Sequence, residues 1–128
     1  MWRNGNRENT EMNVKAQEMI TFNDFQKIEI RVGTIVDVQE FPEARRPAYK
    51  LWVDFGQELG IRKTSAQVTK NYTKKNLMRL QVAAVMNFPS KQIGKFMSEI
   101  LVLGFPDSSG EVVLISLDKT VPNGGRLF

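Results

Sequence analysis

The sequence predicts an all-β domain that folds as a small antiparallel barrel of five strands. Short runs of alternating apolar and polar residues recur along the chain, separated by turns that contain glycine or proline. One polar stretch of helical character lies between the third and fourth runs. The chain has 128 residues, of which 41% are hydrophobic, and that is enough to form the core of a single domain. A β-sandwich is the structural alternative.

The N-terminal part of the sequence predicts an extension, a short helix and a long strand. Residues 1–20 are polar without a clear period, so we expect a flexible or partly helical extension before a folded domain over 21–128. Thr21 offers an N-cap for a helix over about residues 22–27. Residues 27–40 alternate with a period of two. The side chains predicted to share one face of this strand are Ile28, Ile30, Val32, Val36 and Val38.

The rest of the chain divides into short segments whose boundaries follow turn residues and changes of period. Glycine within a strand, such as Gly33, is typical of a bend at a barrel corner. The predicted segments are a proline loop (41–48), a second strand (49–55), a weaker third strand (61–66), a helical or irregular crossing (67–79), a fourth strand (82–86), an irregular loop (87–99), a fifth strand (100–103), a turn (104–110), a sixth strand (112–117) and C-terminal residues closed by a turn (121–125).

The net charge of +4 is unevenly distributed along the chain. Residues 1–58 carry eight basic and ten acidic side chains, and residues 99–128 carry two basic and four acidic ones. Residues 59–98 carry eight basic side chains and no acidic one. A basic segment inside an otherwise balanced domain is typical of a phosphate-binding surface, although a solvated face with scattered lysines is the alternative.

The absence of histidine and cysteine restricts the chemistry open to the chain. Neither a Ser-His-Asp nor a Cys-His pair can form, and no thiolate or imidazole can hold zinc. We therefore expect a protein that is not an enzyme and that needs no metal or cofactor. The polar N-terminus and the lack of a long apolar run predict no secretory signal and no membrane insertion, so the expected location is cytoplasmic.

The loop over residues 87–98 combines the side chains that single-stranded RNA needs. Cations neutralise phosphates, aromatic rings stack on bases, and amides or hydroxyls reach base edges and 2′-hydroxyls. The alternative is a connecting loop whose two phenylalanines cap the core. The candidate residues in this loop are Asn87, Lys91, Lys95 and Ser98, with Phe88 and Phe96 as candidates for stacking.

Two further places on the predicted strands present candidate binding residues. The third strand carries Arg62, Lys63 and Ser65, and in barrels of the OB type the second and third strands line the binding face. Because side chains alternate along a strand, Lys63 and Ser65 share one face and Arg62 lies on the other. Trp52 lies on the polar side of the second strand, which suggests either a site for apolar peptides or burial in a dimer interface.

Four segments of the chain resemble the CsaA branch of the tRNA-binding-domain family. The pairing of RVG near the start with NFP and GKFMSE near the end is specific in combination. The matching segments are IEIRVGTIVDVQEFPEARRPAYKLWVDFG (28–56), RKTSAQVTKNY (62–72), VMNFPSKQIGKFMSEILVLG (85–104) and VPNGG (121–125).

This resemblance implies an OB-fold barrel and a homodimer built from the N-terminal helical piece and the C-terminal strands and tail. It also implies tRNA binding along the barrel face and the late loop, without catalysis. CsaA-type members are also described as chaperones of protein export that bind unfolded peptides, which is the alternative function. The resemblance assigns RNA contacts to Asn87, Lys91, Lys95, Ser98 and Glu99, supported by Arg31 and Arg62.

Overall fold

The computed structural model describes residues 18–128, so most of the predicted N-terminal extension lies outside the described residues. A short helix, α1 (Phe22–Gln26), begins at Thr21 as predicted. The Thr21 hydroxyl accepts a hydrogen bond from the Asp24 amide at 3.1 Å, and the Asp24 carboxylate accepts one from the Thr21 amide at 3.0 Å. This reciprocal cap satisfies two amides that a helix start leaves open. Within residues 18–128 no helix is long and apolar enough to cross a membrane.

The body of the domain is a five-stranded antiparallel sheet curled into a nearly closed barrel, which confirms the predicted all-β OB-type architecture. The strands that form this sheet stand in the order β3-β2-β1-β4-β7. The elements after α1 are β1 (Ile30–Glu40), β2 (Tyr49–Asp54), β3 (Ile61–Ala66), α2 (Lys74–Leu77), β4 (Gln81–Val85), β5 (Lys91–Ile93), β6 (Phe96–Ser98), β7 (Leu101–Val102), β8 (Gly104–Pro106) and β9 (Val112–Leu114).

Strand β1 corrects the predicted assignment of its inward face. A β-bulge between Ile35 and Asp37 shifts the register against β2. Ile35 and Val38 are therefore buried, whereas Val36, predicted to share the face of Val38, is 39% exposed. An extra residue in one strand reverses the alternation beyond it, and a regular period of two cannot anticipate this reversal.

The core fills the barrel interior with side chains from every strand of the main sheet. Leu51 and Val53 of β2 are fully buried, and so is Leu77, which α2 contributes from the predicted crossing. Thr64 of β3 is also fully buried, and its hydroxyl donates to the Ile100 carbonyl at 2.9 Å. A buried hydroxyl that is satisfied in this way does not weaken the core.

Two hairpins were missed by the prediction from sequence. The segment expected to be an irregular loop contains β5 and β6, which pair across a turn at Gly94 with φ of 61°. The first part of the segment expected to be a turn forms β8, which pairs with β9. Strands of three residues leave too few positions for a period to be visible.

Candidate nucleic-acid interface

The β5–β6 hairpin is joined to β3 by side chains as well as backbone groups. The Ser65 amide donates to the Ser98 hydroxyl at 2.8 Å, and both residues are buried. The Glu99 amide donates to the Lys63 carbonyl at 2.8 Å, while the Lys63 amide donates to the Glu99 carboxylate at 3.0 Å. We call these contacts of Ser65, Ser98, Lys63 and Glu99 the β3 clip. The clip closes the barrel and fixes the hairpin beside β3.

Three aromatic rings pack between this hairpin, β2 and the proline loop. The Phe96 ring lies 5.4 Å from that of Phe41 and 6.2 Å from that of Trp52, both in edge-to-face geometry. We call Phe41, Trp52 and Phe96 the aromatic cluster. Phe96 is only 8% exposed, so its ring offers little surface for stacking on a base and packs as the alternative of a core-capping ring describes.

Two lysine ammonium groups lie over the aromatic cluster. Lys50 Nζ is 4.8 Å from the centre of the Phe41 ring and 5.2 Å from that of Phe96. Lys63 Nζ approaches the Phe96 ring to 5.1 Å. The negative face of an aromatic ring attracts a cation at these distances. Lys50 was not among the residues predicted to bind RNA, although its position two residues before Trp52 places both on one side of β2.

The two lysines of the hairpin itself, Lys91 and Lys95, lie on its exposed surface. Lys91 is exposed and stands opposite Ser98 in the β5–β6 register. Lys95 is exposed at the tip, next to Gly94. Phe88 precedes the hairpin and is 42% exposed. The fold therefore brings lysines from β2, β3 and the hairpin to one side of the barrel, at the edge that the β3 clip closes.

A comparison with known protein families shows to which family the chain belongs. Residues 30–126 match the model of the tRNA binding domain family. The chain belongs to the tRNA-binding-domain family. A methionine–tRNA ligase from Thermococcus onnurineus is 36% identical over 110 residues, which are 86% of this chain and 14% of the ligase. The chain thus spans about one seventh of the length of that ligase.

Two solved structures link this tRNA-binding-domain chain to CsaA proteins, as the sequence motifs predicted. The chaperone CsaA from Bacillus anthracis is 44% identical with a TM-score of 0.80, and the alignment covers 87% of this chain and all of that one. The CsaA chaperone protein from Picrophilus torridus is 49% identical with a TM-score of 0.79, covering 86% of this chain and all of that one.

Some of the residues predicted to contact RNA have structural partners within the fold. Ser98 is fully buried and holds the Ser65 amide, so it does not present its hydroxyl to a ligand. Ser65 is likewise buried, and Glu99 holds the amide of Lys63. These three predicted contact residues build the β3 clip. Sequence shows which side chains occur, but not that residues more than thirty positions apart bind each other.

Asn87 has a structural role at the start of the barrel. Its side-chain amide donates to the Lys27 carbonyl at 2.7 Å, and its carbonyl oxygen accepts from the Glu29 amide at 3.0 Å. The Asn87 side chain therefore ties the end of β4 to the chain between α1 and β1. Both of its polar atoms are in use, although the residue itself is exposed.

Arg31 and Arg62 lie away from the hairpin, near the turn between β2 and β3. Arg31 donates to the Gly124 carbonyl at 2.9 Å, and its Nε is 3.8 Å from the Glu29 carboxylate. Arg62 donates from Nε to the Leu59 carbonyl at 3.1 Å. The structure does not bring these two arginines together with the lysines of the hairpin, so the predicted single set of contact residues divides in two.

Proposed function

We propose that this chain binds tRNA, without catalysing a reaction, through the side of the barrel formed by β2, β3 and the β5–β6 hairpin. One observation carries the proposal: the β3 clip joins Ser65 to Ser98. These residues are distant in sequence, and both belong to the segment without acidic side chains (59–98). Lys63 lies on one side of this closure, and Lys91 stands opposite Ser98 on the other. The membership of the chain in the tRNA-binding-domain family supports the same assignment.

Such a surface is suited to recognising the backbone and shape of a folded RNA. Ammonium groups bind phosphate as point charges and carry little information about base identity. The side chain of Phe88 offers an exposed ring beside the hairpin on which an unpaired base can stack. We therefore expect binding that tolerates sequence changes in the RNA and weakens steeply as salt is raised.

We further propose that the chain forms a homodimer through an apolar cluster at the place where α1 meets the C-terminal residues. The cluster consists of Phe22, Ile28, Leu127 and Phe128, which are between 45% and 106% exposed. Arg126 joins the C-terminal residues to α1 by donating to the Gln26 carbonyl at 2.6 Å. A two-fold axis here would duplicate the basic face, so that one tRNA could be held at two places with increased avidity.

The exposed apolar cluster also supports a second candidate function, the binding of unfolded polypeptides. The two CsaA relatives are named chaperones, and an exposed apolar surface is what such a function needs. Trp52 was the sequence candidate for this role. Trp52 is half-buried against Phe96 and is distant in sequence from the apolar cluster of Phe22, Ile28, Leu127 and Phe128. A monomeric chain that binds unfolded peptides through Phe22 and Phe128 would favour this function over the dimer.

Fluorescence anisotropy of labelled tRNA tests the main proposal. The pair Lys91→Ala/Lys95→Ala removes two cations from the hairpin, and Lys74→Ala/Lys75→Ala removes two exposed cations from α2 as a matched control. Losing two phosphate contacts should lower the slope of log K against log salt by about 1.4–1.8. The control should leave the slope close to that of the unmodified chain.

Three outcomes of this experiment contradict the proposal in different ways. Absence of saturable binding at about 50 mM salt overturns tRNA binding itself, since the electrostatic attraction is strong there. Equal losses in both double variants show that overall charge, and not the hairpin, carries the affinity. Unchanged affinity in the hairpin variant places the site elsewhere on the barrel.

A further inference from the structure

Lys50, Trp52 and Lys63 form one outward-facing group on neighbouring strands. In the β2–β3 register Trp52 stands opposite Lys63, and Lys50 stands opposite Ser65. Leu51 and Val53, which alternate with them, are fully buried. Since side chains alternate between the two faces of a strand, Lys50 and Trp52 point away from the core, and Lys63 accompanies them across the pair.

Within residues 18–128 the two ammonium groups converge on one ring without an acidic partner. Lys50 Nζ and Lys63 Nζ lie 5.2 and 5.1 Å from the centre of the Phe96 ring. The ion pairs found within residues 18–128 involve neither lysine. Glu99 approaches β3, but its carboxylate oxygen accepts from the Lys63 backbone amide. Two like charges near one ring repel each other, and an anion placed between them removes this repulsion.

We propose that Lys50 and Lys63 clamp one phosphodiester group of a bound RNA, with the accessible part of Trp52 as the stacking surface for an adjacent base. The buried Phe96 ring serves as the platform that holds both ammonium groups in place before the RNA arrives. This inference rests on the proposed function, and it adds a site distinct from the lysines of the hairpin. A phosphodiester has the charge and the two free oxygens that a pair of ammonium donors requires.

The aromatic cluster preorganises the clamp, so we expect it to bind more tightly than two lysines on an open surface. A lysine side chain normally loses considerable conformational freedom when it is fixed on a ligand. Here Lys50 Nζ already lies close to two rings, 4.8 Å from the centre of Phe41 and 5.2 Å from that of Phe96. Preorganisation of this kind raises affinity by lowering the entropy lost on binding. A base next to the bound phosphate can then stack on the indole of Trp52. Such stacking accepts any of the four bases.

Intrinsic fluorescence tests the site without altering it. The chain has two tryptophans, Trp2 and Trp52, so Trp2→Phe leaves Trp52 as the sole indole. We expect saturable quenching of its emission by a single-stranded RNA oligonucleotide and by tRNA, at the concentrations at which anisotropy reports binding. Inorganic phosphate should quench only at far higher concentration. Saturation by phosphate alone as tight as that by RNA would make this a site for free anions and overturn the RNA clamp.

A double-mutant cycle tests whether the two lysines share one phosphate. Lys50→Met and Lys63→Met keep the aliphatic stems that pack on the rings and remove the charges, and Lys74→Met/Lys75→Met is the matched control on α2. For one shared phosphate the double variant should lower the salt slope by about 0.7–0.9, and for two separate phosphates by about 1.4–1.8. The larger drop, or no drop, overturns the shared clamp.

Failure of the clamp can be told apart from failure of the proposed function. If the unmodified chain does not bind tRNA, both proposals fall. If tRNA binds and Lys91→Ala/Lys95→Ala weakens it, while Lys50→Met/Lys63→Met binds normally and Trp52 emission stays constant, only the clamp is overturned. Thermal unfolding of each variant shows whether a lost affinity reflects a lost fold, and the Trp2→Phe titration answers the question in either case.

Discussion

Replacing Ser98 with alanine separates a structural role from an RNA contact. The Ser98 hydroxyl is fully buried and accepts the Ser65 amide at 2.8 Å. Ser98→Ala removes the hydroxyl that accepts from that amide in the protein interior. The desolvation penalty of an unsatisfied buried donor is about 1–3 kcal/mol, and the small void left by the oxygen adds to it. We therefore expect the free energy of unfolding to fall by about 2 kcal/mol.

Urea and thermal unfolding followed by circular dichroism measure this loss. For a domain of this size each kcal/mol lowers Tm by roughly 3–6 °C, so a loss of about 2 kcal/mol should lower Tm by about 6–12 °C. Ser90→Ala is the matched control, because Ser90 is exposed just before the hairpin. A substitution at such a position should change the free energy of unfolding by less than about 0.5 kcal/mol.

The reasoning is refuted if Ser98→Ala is as stable as Ser90→Ala. If stability is unchanged while tRNA affinity falls, Ser98 contacts RNA directly, as the family resemblance suggested, and the closed clip is not its state in solution. Amide exchange adds a local test, because Ser65 should lose protection in Ser98→Ala even where global unfolding is not reached.

Three further changes test other parts of the structure. Gly33→Ala should destabilise the fold by about 1–3 kcal/mol in urea unfolding, since a Cβ there would lie 2.7 Å from Val53, whereas Gly125→Ala, with its nearest atom at 3.6 Å, should be nearly neutral. Asn87→Ala should lower Tm by breaking both bonds that tie β4 to the chain beside α1, and unchanged Tm would contradict that role. Hydrogen bonds from the Asn71 side chain and from backbone amides lower the pKa of Asp107 below 3.8, so its stabilising effect should be present above that pH and disappear as the pH falls through its folded pKa. NMR titration of the carboxyl would show this, and Asp107→Asn should flatten that part of the stability curve; an unshifted pKa would contradict it.

The elements predicted well from the sequence are those whose environment is regular. In β2 each inward residue alternates with an outward one, Leu51 and Val53 being buried, and the predicted strand over 49–55 is close to the observed Tyr49–Asp54. In β1 the bulge after Ile35 leaves Val36 and Asp37 exposed, whereas Ile35 and Val38 are buried. The cost of a bulge depends on the partner strand, and the partner is not visible in a local pattern.

The candidate site was predictable in composition but not in arrangement. The segment without acidic side chains (59–98) contains both Lys63 and Lys91, and Lys63 does lie beside the hairpin that carries Lys91. The sequence could not show that Phe96 would be buried beneath Lys63. Nor could it show that Lys50 would lie over the ring of Phe41, because that ring lies in a proline loop whose path no period describes.

The β3 clip makes the stability of the hairpin and its affinity for RNA interdependent. The bonds that hold Ser98 and Glu99 on β3 also set the spacing between Lys63 and Lys91. A bound phosphate chain that contacts both lysines would stabilise only the closed arrangement, and by linkage it must then raise the free energy of opening the clip. RNA should therefore protect the Ser65 amide from exchange more in the unmodified chain than in Lys91→Ala/Lys95→Ala. Equal protection in both would mean that the RNA does not span the closure, and that the lysines act independently.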